Sequence, residues 1–362
     1  MVTRIIKKYY YHIWTLEKSH KAPNIPRKKS HYNQSRTYYH QSIGADASMS
    51  DTYPIEAVNL CKRFGTFTAL DDFNLQVRRN SFTGLLGPNG AGKSTCLKIF
   101  GHLHKSTSGH AYINGYDVEK EPKQALTGMG SVIETPEFYL YMTPRETFRF
   151  TGDILGMKKE AIDAETDEIL EKVKMTEWAD KRLGTFSKGM KQRISLGLAL
   201  MNSPEVIILD EPTSGLDPRG MAETREILRN LRTDNNGLTV LMSSHMMYEV
   251  SDLCDRIAMV NHGKLLVHDD IYAVLGEADH RNITVKTKTE VDADMLASIE
   301  SLTNVVSATK DANSIRIQLK GGMDEESLLF TQIGELGIGA YSMSEGVNAL
   351  EDRYLELIKE SR

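Results

Sequence analysis

The spacing of apolar and polar positions divides the chain into segments of different kinds. Ile55 to Leu60, Phe73 to Val77 and Phe82 to Leu86 are short apolar runs of strand length. The last is followed by a Gly-rich stretch and then by a helical segment, Ser94 to Phe100. From Pro144 to Ala199 the pattern is mainly helical, and Glu160 to Val173 alternates charged and apolar positions at helical spacing. Strand signals return at Val206 to Leu209, Thr239 to Met242 and Arg256 to Val260. Strands alternating with helices around a Gly-rich loop predict an α/β domain with a largely parallel sheet.

Beyond about residue 273 the spacing predicts a second, smaller α+β unit. Its strand candidates are Ile283 to Thr287, Val305 to Thr309, Ser314 to Leu319 and Ala340 to Met343. Helix candidates lie between them, at Asp292 to Leu302 and Asp324 to Leu336. The order β-α-β-β-α-β is that of a ferredoxin-like sandwich. A last helix is predicted over Ala349 to Lys359, with Leu350, Tyr354, Leu357 and Ile358 on one face. The chain is thus read as an extension over 1–50, a domain over 51–273 with a helical subdomain at about 137–200, and an accessory domain over 274–362.

Composition changes the picture at the amino-terminal end. Residues 1–48 hold nine Lys or Arg against Glu17 and Asp46, with Tyr9, Tyr10, Tyr11, Tyr32, Tyr38 and Tyr39 among them. No sustained period runs through this segment, so it is expected to be disordered. It could be a targeting segment, although the apolar core of a secretory signal is missing. It could also be a basic arm for a membrane surface or partner. The preferred expectation is that Met49 is the working start. The whole chain carries a formal charge of −5, which gives no general reason to expect nucleic acid. Cys61, Cys96 and Cys254 show no metal-ligand spacing, which suits a reducing compartment. No run approaches the ~20 apolar residues that a spanning helix needs.

Three motifs carry chemistry. Gly87-Pro88-Asn89-Gly90-Ala91-Gly92-Lys93-Ser94, followed by Thr95, fits G-x-x-x-x-G-K-[ST] between a strand and a helix. Backbone N–H groups of such a loop turn inward around phosphate oxygens, Lys93 can reach the terminal phosphates, and Ser94 can ligate Mg²⁺. Val206 to Leu209 is an apolar strand that ends in Asp210 and Glu211. Asp210 suits a Mg²⁺ shell, and Glu211 suits a base that polarises the attacking water. Between these lies Phe186-Ser187-Lys188-Gly189-Met190-Lys191-Gln192-Arg193. Read alone, Ser187 is an ordinary helix N-cap; with Gly189 it also makes an anion site at a helix N-terminus.

Taken together, residues about 55–260 resemble the nucleotide-binding domain of ABC transporters, with the family's motifs in the family's order. The phosphate loop is similar to Walker A, and Ser187-Lys188-Gly189-Met190 to a variant signature motif. Glu211-Pro212-Thr213-Ser214-Gly215-Leu216-Asp217-Pro218 resembles the Walker B exit and D-loop. His245 in Ser243-Ser244-His245 matches the switch histidine, and Phe64 sits where the family stacks an aromatic on adenine. Singly, Phe64 could be core, His245 structural and Asp217 a turn acid.

Glu134, in Ile133-Glu134-Thr135-Pro136, occupies the place of the family's Q-loop glutamine. That stretch, and more weakly the segment Asn348 to Tyr354, resembles ABC-2 type exporters of bacitracin and lantibiotic self-protection.

The resemblance implies a P-loop NTPase fold and an ATPase using ATP and Mg²⁺. Glu211, His245, Lys93 and Glu134 would act in catalysis, and Ser94, Asp210 and Glu134 at the metal. Phe64, the phosphate loop through Thr95, Ser187, Gly189 and Asp217 would bind nucleotide. It further implies a head-to-tail homodimer driving separate transmembrane permease subunits, from the cytoplasmic face of the membrane. A soluble ABC ATPase of the translation or DNA-repair type is the alternative. Those usually carry two motif sets or a long coiled coil, and this chain has one set and no long heptad run.

Overall fold

The computed structural model describes residues 53–134, 137–234, 237–274, 280–288, 290–311, 313–345 and Tyr354. They divide into two compact units between Leu265 and Leu266. In chain order the first contains β1 (Ile55–Phe64), β2 (Phe67–Val77), β3 (Phe82–Leu86), α1 (Lys93–Phe100), β4 (Ser108–Ile113), β5 (Tyr116–Asp117), α2 (Pro122–Leu126) and β6 (Met129–Val132). It continues through α3 (Pro144–Ile154), α4 (Lys159–Lys172), α5 (Lys188–Leu200), β7 (Val206–Asp210), α6 (Pro218–Thr233), β8 (Thr239–Ser244), α7 (Met247–Leu253) and β9 (Arg256–Asn261), and the division falls within β10 (Lys264–Asp270).

The central strands are largely apolar and buried throughout. Every residue of β3, β8 and β9 is buried. That is the signature of parallel strands covered on both faces. They lie in a six-stranded sheet of order β10-β9-β3-β8-β7-β6, in which β9, β3, β8, β7 and β6 pair in parallel. A second, antiparallel sheet has the order β2-β1-β4-β5. Its inward residues, such as Ile55, Leu60, Phe73 and Leu75, share one core with Leu97, Phe100, Val206 and Leu241. The α/β class expected from the sequence is therefore the observed one.

The expected helical region resolves into α3, α4 and α5, with two short 3₁₀ turns, Thr176–Trp178 and Leu183–Thr185, between α4 and α5. Local chemistry sets the starts. Thr143 and Glu146 form a reciprocal capping box on α3, with Pro144 in its first turn. Ser187 caps α5 and Asp217 caps α6. The strands β4, β6 and β10 carry no clear period in the sequence. Each is short or half-exposed, and each is defined by its neighbours in the sheets.

The second unit continues with α8 (Ile271–Val274), β11 (His280–Thr287), α9 (Ala293–Glu300), β12 (Val305–Asp311), β13 (Ser314–Lys320), α10 (Met323–Glu335) and β14 (Ala340–Glu345). From β11 to β14 the order is the expected β-α-β-β-α-β, and the sheet runs β12-β13-β11-β14. Its core gathers Ile283, Val285, Ile315, Ile317, Leu319 and Leu329. Strand β13 alternates strictly, with Ile315, Ile317 and Leu319 inward and Arg316 and Lys320 outward. The predicted helix Ala349 to Lys359 lies outside the described residues apart from Tyr354, and so does the extension over residues 1–50.

Gly130 in β6 shows how closely α5 rests on the sheet. A Cβ at Gly130 would lie 1.8 Å from the carbonyl oxygen of Ala199, near the end of α5. Backbone cannot yield as a flexible side chain does. Gly130→Ala is expected to lower stability by about 1–3 kcal/mol, measured by urea unfolding. An unchanged midpoint would mean that the helix end shifts freely.

Candidate functional site

Strand β3 delivers the chain into the loop Gly87–Gly92, and α1 begins at Lys93. Pro88, Asn89 and Gly90 are exposed at the loop tip, while Ala91, Gly92 and Lys93 are buried and Ser94 and Thr95 half-buried. Gly92 has φ +108°, and a Cβ there would sit 2.5 Å from the carbonyl oxygen of Ala69. Only glycine meets both conditions. The Ala91 N–H donates to the Pro88 carbonyl at 3.1 Å and closes the turn. Lys93 Nζ reaches back to donate to the carbonyls of Gly87 at 2.7 Å and Pro88 at 3.1 Å. Burial pushes the Lys93 ammonium below the ordinary lysine range, and the nearby Glu211 and Asp210 carboxylates pull it back up. The loop and the first turn of α1 together form a positive concavity of the kind that binds phosphate.

Two carboxylates face this loop from the end of β7. Asp210 Oδ1 accepts from Ser94 Oγ at 3.0 Å and from Ser243 Oγ at 2.6 Å. Ser243 stands opposite Asp210 in the β7–β8 register. The Ser243 hydroxyl also accepts from the Glu211 N–H at 2.9 Å. Glu211 has φ +45°. This left-handed conformation costs a non-glycine residue about 1–3 kcal/mol, and it turns the side chain toward the loop. Glu211 Oε1 lies 3.8 Å from Lys93 Nζ, and Oε2 lies 3.2 Å from His245 Nδ1. Lys93, Ser94, Asp210, Glu211 and His245 are therefore one connected cluster.

The remaining predicted residues fall outside that cluster. Ser187 accepts the Met190 N–H at 3.2 Å as N-cap of α5, and Asp217 accepts the Gly220 N–H at 3.0 Å as N-cap of α6. Their helix starts are packed together. A Cβ on Gly189 would lie 3.3 Å from the Cα of Gly220, and Lys188 Nζ donates to the Ser214 carbonyl at 3.1 Å. Phe64 is 45% exposed at the end of β1. The His104 ring meets it edge-on at 5.7 Å, and Lys62 Nζ sits 4.8 Å from its centroid. Glu134 has φ +70° and forms an ion pair with Lys98 of α1, one helical turn beyond Ser94.

Sequence reasoning missed Ser243, Lys98 and His104. Ser243 had a signal, since a buried strand that ends in Ser-Ser must find partners for two hydroxyls. Lys98 and His104 had none, because their partners are distant in the chain.

The profile of the ABC transporter family matches residues 70–214. The ABC transporter ATP-binding protein YhcH of Bacillus subtilis (strain 168) is 33% identical over 309 residues, which is 85% of this chain and 97% of that protein. The chain belongs to the ABC transporter ATP-binding proteins. A second such protein, the bacitracin transport ATP-binding protein BcrA of Bacillus licheniformis, is 40% identical over 213 residues, 59% of this chain and 68% of its own. Among solved structures, the dimeric structure of a bacterial ABC transporter cassette superposes with a TM-score of 0.54 at 25% identity, over 60% of this chain and 99% of the cassette. As an ABC transporter ATP-binding protein, the chain is an ATPase that drives transport. No helix among the described residues is long and apolar enough to cross a membrane.

The Ser243 hydroxyl serves Asp210 and the Glu211 N–H at once. Ser243→Ala leaves the Glu211 N–H without that acceptor and is expected to cost about 1–3 kcal/mol. Urea unfolding checks this, and a loss of under a few tenths would show that the network re-forms without Ser243.

Proposed function

We propose that two copies of this chain close head-to-tail around two Mg-ATP and drive separate membrane-spanning permease subunits in export. The observation that carries the reading is the division of the predicted residues into two groups. Lys93, Ser94, Asp210, Glu211 and His245 form one face, while Ser187, Gly189 and Asp217 gather at the paired starts of α5 and α6. Each group is half of a nucleotide site, and head-to-tail closure brings the α5 start of one copy onto the γ-phosphate held by the other.

In such a site the loop N–H groups and Lys93 hold the β- and γ-phosphates. Phe64 offers an exposed ring face for the base. Glu211 takes the proton of the attacking water as its oxygen bonds to the γ-phosphorus. The bond to the bridging oxygen breaks, and that oxygen leaves with ADP. Glu211 faces His245 Nδ1, which leaves His245 Nε2 to donate to a γ-phosphate oxygen. Ser94 Oγ and Asp210 Oδ1, 3.0 Å apart, are the paired hard oxygens that suit Mg²⁺, an ion that takes one or two protein ligands beside substrate phosphates. Held there, Mg²⁺ would neutralise phosphate charge. ATP joins the two copies because the γ-phosphate is contacted from both sides, and its loss on hydrolysis lets them part.

The permease would dock beside Glu134, on the segment that leads into α3. Leu140 and Tyr141 are exposed there, and the Tyr139 ring lies 5.7 Å from Tyr141 and 6.2 Å from Phe150. An exposed aromatic cluster of this kind is a partner surface rather than core. That placement puts the chain on the cytoplasmic face of the membrane through its permease. The likeness to BcrA supports an antimicrobial peptide or another amphipathic compound as cargo, with self-protection as the outcome.

Glu211→Gln keeps the shape of the side chain and removes the base. It is expected to bind ATP, to lose at least about 10²-fold in turnover, and to run as a dimer on gel filtration with Mg-ATP. Near-normal turnover would remove Glu211 from the role.

The Lys98 ion pair gives Glu134 two competing partners, since it must leave Lys98 to serve Mg²⁺. The doubly charged ion attracts a carboxylate more strongly than one ammonium does. Glu134→Gln is expected to keep the fold and to need more Mg²⁺ for half-maximal ATPase. Superimposable Mg²⁺ titrations of mutant and wild type would assign Glu134 to Lys98 alone.

A further inference from the structure

A carboxylate with no part in the chemistry above lies buried directly behind it. Glu249 in α7 is 1% exposed, as are its partners Thr213 and Ser244. Its Oε1 accepts from Thr213 Oγ1. Its Oε2 accepts from Ser244 Oγ at 2.8 Å. The Ser244 oxygen in turn accepts the Met246 N–H at 2.9 Å. Three chain segments therefore meet on one side chain.

The positions of the two hydroxyls give this meeting its meaning. Thr213 lies two residues after Glu211, and Ser244 lies one residue before His245. Neighbouring residues on a strand point to opposite faces. Ser243 accordingly turns to Asp210, while Ser244 turns to Glu249. The segment after β7 and the segment after β8 are thus tied on one face through Ser243 and on the other through Glu249. Glu211 needs such a tie. It is held at φ +45° immediately before Pro212, where sterics restrict the backbone further. A strained conformation persists only where its surroundings over-determine it.

An ionised carboxylate is suited to the task because it only accepts, and each oxygen here takes one hydroxyl hydrogen. An amide would present one acceptor and one donor to two hydroxyls that both donate. The Ser244 hydroxyl has a weaker alternative acceptor, the Met246 carbonyl at 3.3 Å. The amide could therefore be accommodated, with the Ser244 contact rearranged.

We infer that Glu249 is a positioning residue for ATP hydrolysis, a buried clamp that holds Glu211 and His245 at their mutual distance through Thr213 and Ser244. Glu249, Thr213 and Ser244 are all buried, so the clamp offers no surface to a bound nucleotide. It therefore acts on turnover and leaves ATP binding alone. The inference rests on the roles proposed for Glu211 and His245.

The test is a kcat-against-KM comparison in the full chain, with thermal melting measured on the same samples. Thr213→Val keeps the shape and removes one hydroxyl, so it is the variant least at risk of misfolding. Thr213→Val is expected to lose about tenfold in kcat, with the KM for ATP and the Kd for a fluorescent ATP analogue within about twofold of wild type. Glu249→Gln should fall between wild type and Glu249→Ala, as the retained acceptor predicts. If the Glu249 variants do not fold, Thr213→Val alone decides. A kcat within twofold of wild type for Thr213→Val overturns the clamp. So does a loss in which ATP binding falls in step with turnover, since that is a general structural effect. Glu211→Gln, assayed in parallel, separates the two failures. If Glu211→Gln turns over normally, the catalytic reading itself is wrong. If it is inactive while Thr213→Val is not, only the clamp is lost.

Discussion

The register of three parallel strands decides where everything else in the site can be. In the β7–β8 ladder Asp210 stands opposite Ser243, and in the β3–β8 ladder Leu86 stands opposite Ser244. Parallel strands that begin and end together bring their carboxyl ends to one edge of the sheet. At that edge the phosphate loop leaves β3, the two carboxylates leave β7, and His245 leaves β8. A slip of one residue in the β7–β8 ladder would turn Asp210 and Ser243 to opposite faces. Continuous burial on both sides keeps that slip from occurring, because every residue of β3 and β8 has a place in the core.

The edge also collects polar groups that a sheet interior could not hold. Lys93 is buried among loop carbonyls with Glu211 close by, and each acid has a hydroxyl or cation beside it. A buried charge is tolerated when paired and hydrogen-bonded. The arrangement stays electrostatically uneven, with positive loop and helix ends facing two carboxylates and one imidazole. That is the condition for gripping a polyphosphate and then responding to its loss. Two of the left-handed non-glycine residues, Glu211 and Glu134, lie at the same edge. The Glu211 N–H donates to the Ser243 hydroxyl, and the Glu134 carboxylate pairs with Lys98 of α1. In the mechanism proposed above, Glu211 is the fixed base and Glu134 the carboxylate that changes partner.

The second unit obeys simpler rules. Its strands alternate, its two longer helices cover the apolar side, and its core is its own. Lys93, Ser94, Asp210, Glu211 and His245 all belong to the first unit.

Sequence alone determined what depends on local order. The phosphate loop was legible because backbone geometry demands glycine at fixed intervals before a lysine. The acids of β7 were legible because an apolar strand that ends in two charges needs a reason. The β-α-β-β-α-β order was legible because strand and helix periods differ. Strands without a period, such as β4 and β6, were not, since their pairing partners define them. The meeting of Lys98 with Glu134, of Ser243 with Asp210, and of Glu249 with Thr213 and Ser244 belongs to the tertiary structure. Each joins side chains brought close only by packing of the sheet and its helices. No periodicity encodes such a contact, because hydrogen bonds depend on distance in space and not on separation along the chain.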